Sequence, residues 1–346
     1  MAGRNVFLLA PKYLDLYNDI IKGLQAKGYD VRWVEDDQIE NNPFKVRYET
    51  QSYNEDNVSQ YESVVEQFWR NFFEGRNGST RFDYFLVIDG LMVCPWLFKT
   101  MRNNNPGIRI ILYLFDRVQG MYQIDRYFKY YDKVLSFDDN DVNQFGLGYL
   151  PIYWCPSVNE SEIKYDIFGL AAYNHINSKR NDIYRDIKLM SDHSGLREYI
   201  RLYNKKAKGN TVIYLIKSFI KKSLGRKYIP LAYYQTGLIT TKSESPTDFR
   251  NLIMQSRCIL DVQPEFQAGF TARFMWALGL GKKIITTNKK VLDYPFINHE
   301  QVFILEDNYI EREVLDFINK PFIQSKETKK KLEEYRIDNW LDRMVG

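Results

Sequence analysis

Short apolar runs alternate with stretches of helical periodicity along the first half of the chain. Residues 5–9 and 31–34 are apolar runs of strand length. Between them, apolar side chains recur at spacings of three and four residues, the spacing of one helix face; they are Leu14, Tyr17, Ile21 and Leu24. Gly28 follows at a position typical of a helix end. The pattern predicts a strand, a helix and a second strand.

The next apolar runs are nearly continuous. Residues 82–88 and 108–115 contain few polar positions, and strands buried on both faces of a parallel sheet have this composition. Shorter apolar runs follow at residues 133–137 and 149–153, and a helical face precedes them at residues 58–72. Strands that alternate with helices indicate βαβ units. We therefore predict an α/β fold with a doubly wound parallel sheet.

A second alternating series follows a linker at residues 151–161. Apolar runs predict strands at residues 166–170, 258–262, 283–287 and 302–305. Helical patterns occur at residues 178–202, from Ser245 onward, at 271–280 and at 325–344. The chain is thus predicted to form two Rossmann-like domains in tandem, followed by a terminal helix. Open parallel sheets bind ligands beyond the carboxyl ends of their strands, so two facing sheets would form a cleft.

Composition excludes several classes of protein. The chain has 346 residues, 45% of them hydrophobic, which suits two domains of ~100–200 residues and is too apolar for a disordered chain. No apolar run reaches the ~20 residues that cross a bilayer, and the N-terminal run ends at Pro11, too early for a signal peptide. Cys94, Cys155 and Cys258 are too widely spaced for a disulfide framework. We expect a cytoplasmic protein.

The net charge of +4 is concentrated in one segment. Residues 201–230 contain nine basic and no acidic residues, whereas the remainder has 39 basic and 44 acidic residues. Apolar and lysine positions alternate there between Val212 and Leu224. Two interpretations stay open: a helix that touches an anionic membrane at the inner face, or a domain helix with solvated lysines. A nucleic-acid partner is not expected, because the chain as a whole is not basic enough.

Residues 256–288 carry the most informative pattern, which predicts strand, loop, helix and strand. The loop leads Gly269 and Thr271 to the helix start, and Arg273 lies in the first turn. Exposed N–H groups and the positive end of a helix dipole favour a diphosphate, and an arginine can form paired bonds with phosphate oxygens. The alternative is an ordinary strand-to-helix turn with a surface arginine, and the pattern alone does not decide between the two.

The same segment resembles bacterial GT-B-fold glycosyltransferases of capsular-polysaccharide and lipopolysaccharide synthesis. Their pattern D-x-Q-x-x-x-Q-x-G-x-T-x-R is matched by Asp261, Gln263, Gln267, Gly269, Thr271 and Arg273. A following pattern, A-L-G-x-G-K-K and then I-T-T-N, is matched by residues 277–283 and 285–288. Weaker similarity extends through residues 113–116, 136–138 and 150–151. The resemblance covers most of the chain, and its specific motif is C-terminal.

This resemblance implies a GT-B architecture, two Rossmann-like domains facing a cleft with a C-terminal helix that crosses back. Residues 1–155 with the helix at 325–346 would form the acceptor domain, and residues 156–324 the nucleotide-sugar domain. The implied donor-binding residues are Gln263, Glu265, Gln267, Gly269, Thr271, Arg273 and Arg180. The implied activity is transfer of a sugar from a nucleotide-sugar donor to a saccharide acceptor, lipid-linked, in bacterial surface-polysaccharide synthesis. No cofactor and no metal ion is expected.

One position departs from the family pattern. Before Ala277, related enzymes often have a glutamate that holds the donor ribose, whereas this chain has Trp276. An indole has one donor and cannot accept the two ribose hydroxyl bonds. Glu265 or Glu306 would then take that role, or the donor binds differently. A non-catalytic sugar-binding relative is a further alternative.

Aspartates follow several predicted strands and are candidates for the acceptor side. A group that takes the acceptor proton is required for an inverting transfer, and Asp89 and Asp116 end the two most apolar runs. A helix cap or turn former is the commonest use of an aspartate after a strand, and for each residue that role is favoured over catalysis; of the two, Asp116 also matches the resemblance. The run at residues 138–141 contains a D-x-D, Asp139 and Asp141, at a predicted helix start, where capping is favoured over a metal ion.

A sugar-nucleotide epimerase is an alternative of the same architecture. It requires several acids and a histidine around the sugar ring. The chain has only three histidines, His175, His193 and His299, far apart in sequence. The scarcity of histidine argues against the epimerase.

Overall fold

Two parallel six-stranded sheets organise the chain in this computed structural model. The described residues are 4–12, 15–39, 55–74, 81–121, 123–156, 161–174, 177–204, 229–263 and 269–346. The chain divides into unit 1, Met1–Tyr153 with Tyr335–Gly346, and unit 2, Trp154–Glu334. The predicted α/β class with parallel sheets is confirmed.

Unit 1 is built on one of the two sheets. Its strands are β1 (Asn5–Ala10), β2 (Asp30–Glu35), β3 (Tyr84–Ile88), β4 (Arg109–Leu114), β5 (Lys133–Ser136) and β6 (Gly148–Tyr149). Their order is β2-β1-β3-β4-β5-β6, and all neighbours are parallel. Chain order reverses between β1 and β3, a topological switch point. β6 is shorter than the strand predicted at 149–153, because Pro151 has no N–H to extend the ladder.

The helices of unit 1 cover its sheet. Those in the described part of residues 1–153 are α1 (Leu16–Ala26), α2 (Glu55–Glu74), α3 (Pro95–Asn104) and α4 (Asp139–Phe145). The sequence pattern does not predict α3, which starts with Pro95 at a first-turn position where a missing N–H costs little. Its buried face is formed by Leu97, Phe98 and Met101. α3 also contacts α2.

Aromatic rings fill the core beneath β3. The Phe7 ring centroid lies 5.9 Å from that of Trp69 and 5.4 Å from that of Phe85. Trp69 is fully buried and donates its indole N–H to the carbonyl oxygen of Met92 at 2.8 Å. This bond ties the segment after β3 to α2.

Unit 2 is built on the second sheet. Its strands are β7 (Tyr165–Ala172), β8 (Glu198–Tyr203), β9 (Ile239–Thr240), β10 (Ser256–Asp261), β11 (Lys283–Thr286) and β12 (Val302–Ile304). Their order is β12-β11-β10-β7-β8-β9, again parallel throughout. Chain order reverses between β7 and β10. The carboxyl ends of these two strands flank the switch point, where open α/β sheets bind ligands.

One helix of unit 2 ends earlier than the sequence pattern predicts. The described helices of this unit are α5 (Ser178–His193), α6 (Leu231–Gln235), α7 (Pro246–Met254), α8 (Ala272–Gly279), α9 (Glu311–Asn319) and α10 (Lys326–Leu332). The helix predicted over 178–202 ends at His193, because Gly195 adopts a left-handed conformation with φ of 68° and breaks the helix. The remainder of that range is β8, in which Ile200 and Leu202 are buried and their neighbours are not, the alternation typical of a strand.

The C-terminal segment is two helices rather than the one predicted over 325–344. α10 is followed by a 3₁₀ turn, Glu333–Tyr335, and by α11 (Ile337–Val345). The helix is interrupted because Arg336 has an extended backbone (φ −66°, ψ 143°). α11 packs on α1, where a Cβ added to Gly23 would lie 2.5 Å from Leu341 Cδ1, and Trp340 donates to the carbonyl oxygen of Pro151 at 2.9 Å. The chain thus ends on unit 1.

Some predictions fall on parts of the chain that are not described. Most of the basic segment at 201–230 lies outside the described residues, and so do Glu265, Gln267 and His175. Among the helices that the structure does describe, none has the length and apolarity needed to span a bilayer.

Candidate functional site

The first turn of α8 is fixed to the end of β10 by a threonine. Thr271 caps α8 by accepting from the amide of Phe274 at 3.0 Å. The same hydroxyl donates to Asp261 Oδ1 at 2.9 Å. Since Asp261 is the last residue of β10 and has no exposed surface, the start of α8 is held at the carboxyl end of that strand.

Arg273 lies in the same turn and joins two strands. Its Nε donates to Asp261 Oδ1 at 2.9 Å, and its Nη1 donates to Tyr184 Oη at 3.2 Å and to the carbonyl oxygen of Leu170. Leu170 belongs to β7, so the guanidinium group spans the switch point between β7 and β10. The side chain is 9% exposed. Arg273 is therefore largely engaged with the protein itself.

Arg180 reaches the same place from α5. Its Nε donates to the carbonyl oxygen of Val262, the residue after β10, at 2.9 Å. Its amide is held by Asn177 Oδ1 at 3.2 Å, which caps α5. The guanidinium carbon lies 5.8 Å from the centre of the Tyr184 ring. The side chain is half-buried, and its terminal nitrogens make no hydrogen bond to any residue that the structure describes.

Tyr184 is a buried link between the two arginines. It has no exposed surface, it carries Arg180 over its ring, and its hydroxyl accepts from Arg273. Sequence reasoning did not identify it. The available signal is its spacing of four residues from Arg180, which places both on one face of a helix.

Gln263 directly precedes residues 264–268, which lie outside the described part of the chain. Its amide N–H donates to Thr287 Oγ1 at 3.3 Å, and its side-chain Nε2 donates to the carbonyl oxygen of Gly269 at 3.1 Å. Its Oε1 is buried and has no hydrogen-bond partner among the described residues. Buried polar atoms are normally satisfied, and a carbonyl oxygen of this kind accepts from a hydroxyl or an amine.

The predicted donor-binding residues are thus partly brought together. Arg180, Gln263, Gly269, Thr271 and Arg273 all lie at the carboxyl ends of β7 and β10. The predicted roles of Glu265 and Gln267 fall outside the described residues.

Trp276, the departure from the family pattern, is a core residue. It is 3% exposed, its ring centroid lies 6.0 Å from that of Phe249, and the Arg250 guanidinium lies 4.7 Å above it. Its indole N–H finds no partner within the described part of the chain. Glu306, one of the predicted substitutes for the missing carboxylate, is exposed and forms an ion pair with Lys289 at 2.5 Å.

In unit 1, a buried carboxylate organises the segment after β3. Asp36 has no exposed surface and accepts from the amides of Leu91 at 2.7 Å and Met92 at 2.8 Å. Burial raises the pKa of Asp36 well above its ordinary value, and the nearby Asp89 charge adds to that rise. The sequence pattern did not single out Asp36, which follows β2 directly.

Asp89 repeats this arrangement one strand further. It adopts a left-handed backbone, with φ of 63°, which a non-glycine residue adopts only when its surroundings stabilise it. Its Oδ1 accepts from the amides of Phe115 at 2.7 Å and Asp116 at 3.3 Å. Asp89 is 5% exposed, so it holds the segment after β4 in place.

Asp116 is the carboxylate on this edge that faces solvent. Its side chain is exposed, while the protein around it raises its pKa above the ordinary value by desolvation. A raised pKa makes an accessible carboxylate a stronger base than an ordinary aspartate, which suits it to accept a proton from a hydroxyl. The structure therefore places Asp89 and Asp116 next to each other, with Asp89 buried and Asp116 exposed.

Residues 138–141 open α4, and Asp138 caps that helix, as predicted. Asp138 accepts from the amide of Asn140 at 3.0 Å. Asp141 accepts from the amide of Val118 at 2.9 Å, and Arg117 Nε lies 3.4 Å from Asp138 Oδ1 and 3.5 Å from Asp141 Oδ1. Within the described residues, no three His, Cys, Asp or Glu side chains are grouped to hold a metal ion.

A cavity of about 360 Å³ lies elsewhere in unit 2. It is lined by Trp154, Gly279, Leu280, Gly281, Gln324, Lys329, Leu332 and Glu333. The end of α8 leads from there into the amino end of β11. The cavity therefore lies at the opposite edge of the sheet from the arginines and includes none of the predicted site residues.

Comparison with known proteins identifies the fold. No protein-family model matches the sequence, and no curated protein matches it. Among solved structures, an α,α-trehalose 6-phosphate synthase from Burkholderia multivorans matches with a TM-score of 0.58 at 9% identity, covering 100% of this chain and 98% of that one. A UDP-forming α,α-trehalose-phosphate synthase from Burkholderia vietnamiensis gives 0.57 at 10% identity, covering 100% and 99%. AviGT4, a glycosyltransferase of avilamycin A biosynthesis, gives 0.52 at 10%, covering 99% and 96%. At these identities the likeness is one of fold, and the predicted GT-B fold is confirmed.

Proposed function

We propose that this protein is a glycosyltransferase that uses a nucleotide-sugar donor, with the donor diphosphate bound by unit 2 at the switch point between β7 and β10. The observation that carries the proposal is the convergence of Arg180, Arg273 and the first turn of α8 there. One carboxylate, Asp261, offsets one of the two guanidinium charges. The remaining charge and the N-terminal amides of α8 suit an anionic group.

Arg180 is the direct ligand in this proposal. Its terminal nitrogens have no described partner, whereas Arg273 already donates to three protein oxygens. A planar guanidinium can bond two phosphate oxygens at once. The Oε1 of Gln263, which has no partner among the described residues, accepts from a hydroxyl of the donor sugar in this proposal. The names of the structural relatives support the same chemistry, because two are trehalose-phosphate synthases and one of these is UDP-forming.

Asp116 is the group that we assign to the acceptor. The acceptor oxygen bonds to the anomeric carbon of the donor, the bond from that carbon to the diphosphate oxygen breaks, and the hydroxyl proton passes to the Asp116 carboxylate. Asp89 holds the backbone amide of Asp116 and so positions it. The nucleoside diphosphate leaves with the electron pair of the broken bond.

The finer roles follow the sequence resemblance. The proposal gives acceptor binding to residues 1–155 with the segment at 325–346, and donor binding to residues 156–324. It places the reaction in bacterial surface-polysaccharide synthesis with a lipid-linked saccharide acceptor. The nine basic residues within 201–230 support a peripheral contact with anionic lipid at the inner face of the plasma membrane.

A panel of UDP-, GDP-, CMP- and dTDP-sugars tests this function. A ligand that binds the folded state stabilises it by about 2.7 kcal/mol at one hundred times its Kd, so one class of donor should raise Tm. The same donor with a saccharide mixture should then release nucleoside diphosphate. A panel in which no nucleotide raises Tm would contradict the proposal.

A further inference from the structure

Asp261 is the centre of a buried set of bonds that connects three parts of unit 2. Its Oδ1 accepts from Thr271 Oγ1 at 2.9 Å and from Arg273 Nε at 2.9 Å. Thr271 caps α8, and Arg273 continues to the carbonyl oxygen of Leu170 in β7. One carboxylate thus joins the end of β10, the first turn of α8 and the end of β7.

The two charged members of this set are buried almost completely. Asp261 has no exposed surface and Arg273 is 8% exposed. A buried ion pair gains little net stability, because desolvation of both charges offsets their attraction. An apolar pair of similar volume would serve the core as well. The arrangement is better explained by the geometry that it imposes on the first turn of α8.

The orientation of Arg273 is the decisive detail. Three of its hydrogen bonds run to Asp261, Tyr184 and the backbone of β7, all within the protein. These bonds engage Nε and Nη1 of the guanidinium with protein oxygens. The Arg180 side chain, in contrast, has one described bond, and its terminal nitrogens have no partner in the part of the chain that the structure describes.

We infer that Asp261, Thr271 and Arg273 form a positioning lock, which fixes the first-turn amides of α8 and the ring of Tyr184 beneath Arg180 so that both address one diphosphate. This inference rests on the proposed function and deepens it, because it makes Arg273 a positioning residue rather than a phosphate ligand. The three residues hold the site and do not touch the donor.

The variant Asp261→Asn distinguishes a phosphate-ligand role of Arg273 from a positioning role, because the two roles predict opposite changes in diphosphate affinity. Were Arg273 a phosphate ligand, loss of the nearby carboxylate charge would strengthen diphosphate binding. As part of a lock, the variant weakens it by about tenfold or more, since small displacements of a binding group cost that much. UDP, dTDP and GDP are the probes, each compared with its monophosphate. The lock predicts that the ratio of diphosphate to monophosphate affinity falls, which a general loss of stability would not produce.

Two conservative variants extend the test. Thr271→Ser keeps the hydroxyl and should bind UDP, dTDP or GDP as the wild type does, whereas Thr271→Val keeps the shape and should behave as Asp261→Asn. Glu198→Gln is the matched control, because Glu198 forms a buried ion pair with Lys188 in the same unit, at the amino end of β8. It should lower stability and leave the affinity ratio unchanged.

Amide hydrogen exchange of the nucleotide-free protein tests the lock independently of any ligand. The Phe274 amide donates a hydrogen bond to Thr271 Oγ1. Its exchange should be about tenfold faster or more in Asp261→Asn and Thr271→Val, because local opening lowers protection. Thr271→Ser and Glu198→Gln should not change it. Unchanged exchange in Asp261→Asn, or tighter diphosphate binding by it, overturns the lock. If no probe binds the wild type, the proposed function fails, and the exchange result still decides the lock.

Discussion

The Arg180 guanidinium donates through Nε to the carbonyl oxygen of Val262 at 2.9 Å. Val262 follows β10, and Arg180 lies in the first turn of α5, which follows β7. The contact therefore bridges the two strands that flank the switch point of the second sheet. Because Nε is used for this bond, the two terminal nitrogens keep a fixed direction, and a phosphate group can meet them without reorganisation of the side chain.

Replacement of Arg180 by alanine should weaken nucleoside diphosphate binding. Loss of a hydrogen bond to a charged group costs about 1.5–3 kcal/mol, or about tenfold in Kd for each 1.4 kcal/mol. Arg257→Ala is the matched control, since Arg257 is an exposed arginine near the amino end of β10. Calorimetric titration of both variants measures the difference. Equal losses in the two variants would mean that only net charge matters at this site.

Replacement of Asp116 by asparagine should remove the proton acceptor and keep the donor site. General base catalysis contributes about 10²–10⁴-fold, so kcat should fall by that factor while donor Kd stays near the wild-type value. In the wild type, activity should fall as pH drops through the raised pKa of Asp116, because the base must be deprotonated. The exposed Asp125, in the 3₁₀ segment Ile124–Tyr130, provides the control variant Asp125→Asn. Wild-type turnover by Asp116→Asn would remove Asp116 from the mechanism.

Replacement of Trp276 by glutamate, the residue that the resembled glycosyltransferases often have there, should destabilise the fold. The position is 3% exposed and packs against Phe249, so Trp276→Glu removes a large apolar side chain and buries a carboxyl. Loss of a buried Trp alone costs about 3–5 kcal/mol. Trp276→Phe keeps an aromatic ring and most of the apolar volume, loses an N–H without a described partner, and should cost clearly less than Trp276→Glu, because no carboxyl is buried. Denaturant unfolding distinguishes the two, and a Trp276→Glu variant as stable as Trp276→Phe would refute the assignment to the core.

Lys282 should make stability depend on alkaline pH. Burial lowers the pKa of Lys282 to about 8 from an ordinary value of 10.5. Between these two values the unfolded state binds more protons than the folded state, so the free energy of unfolding rises with pH. At about 1.4 kcal/mol per pKa unit, the rise is up to about 3 kcal/mol. The neutral variant Lys282→Met should be more stable at pH 7 and should lose this rise. Parallel pH profiles for the two proteins would contradict the prediction.

The regular elements of both sheets could be predicted because their signal is local. The apolar runs of β3, β4, β10 and β11 follow from strands covered on both faces, and the Ser245 cap correctly predicted α7. The boundary between α5 and β8 could not be predicted, because residues 194–197 break the helix through the conformation of Gly195 while apolar residues continue on both sides.

The site was predictable in its residue types and not in their directions. The motif located Gly269, Thr271 and Arg273 at the start of a helix, as the structure has them. The Arg273 side chain points towards Leu170 in β7. That direction depends on β7 lying next to β10 in the sheet, which residue spacing along the chain does not show. Asp36 was missed for the same reason, since its amide partners lie 55 and 56 residues away.

Amide hydrogen exchange of the wild-type protein with and without saturating nucleoside diphosphate tests the central claim most directly. The nucleotide should be the one that stabilises the protein most. The account predicts slower exchange in the first turn of α8, at Phe274 and its neighbours, and in the first turn of α5 around Arg180. Protection confined to other regions, for instance to the segments that line the cavity at Trp154 and Gly281, would contradict it.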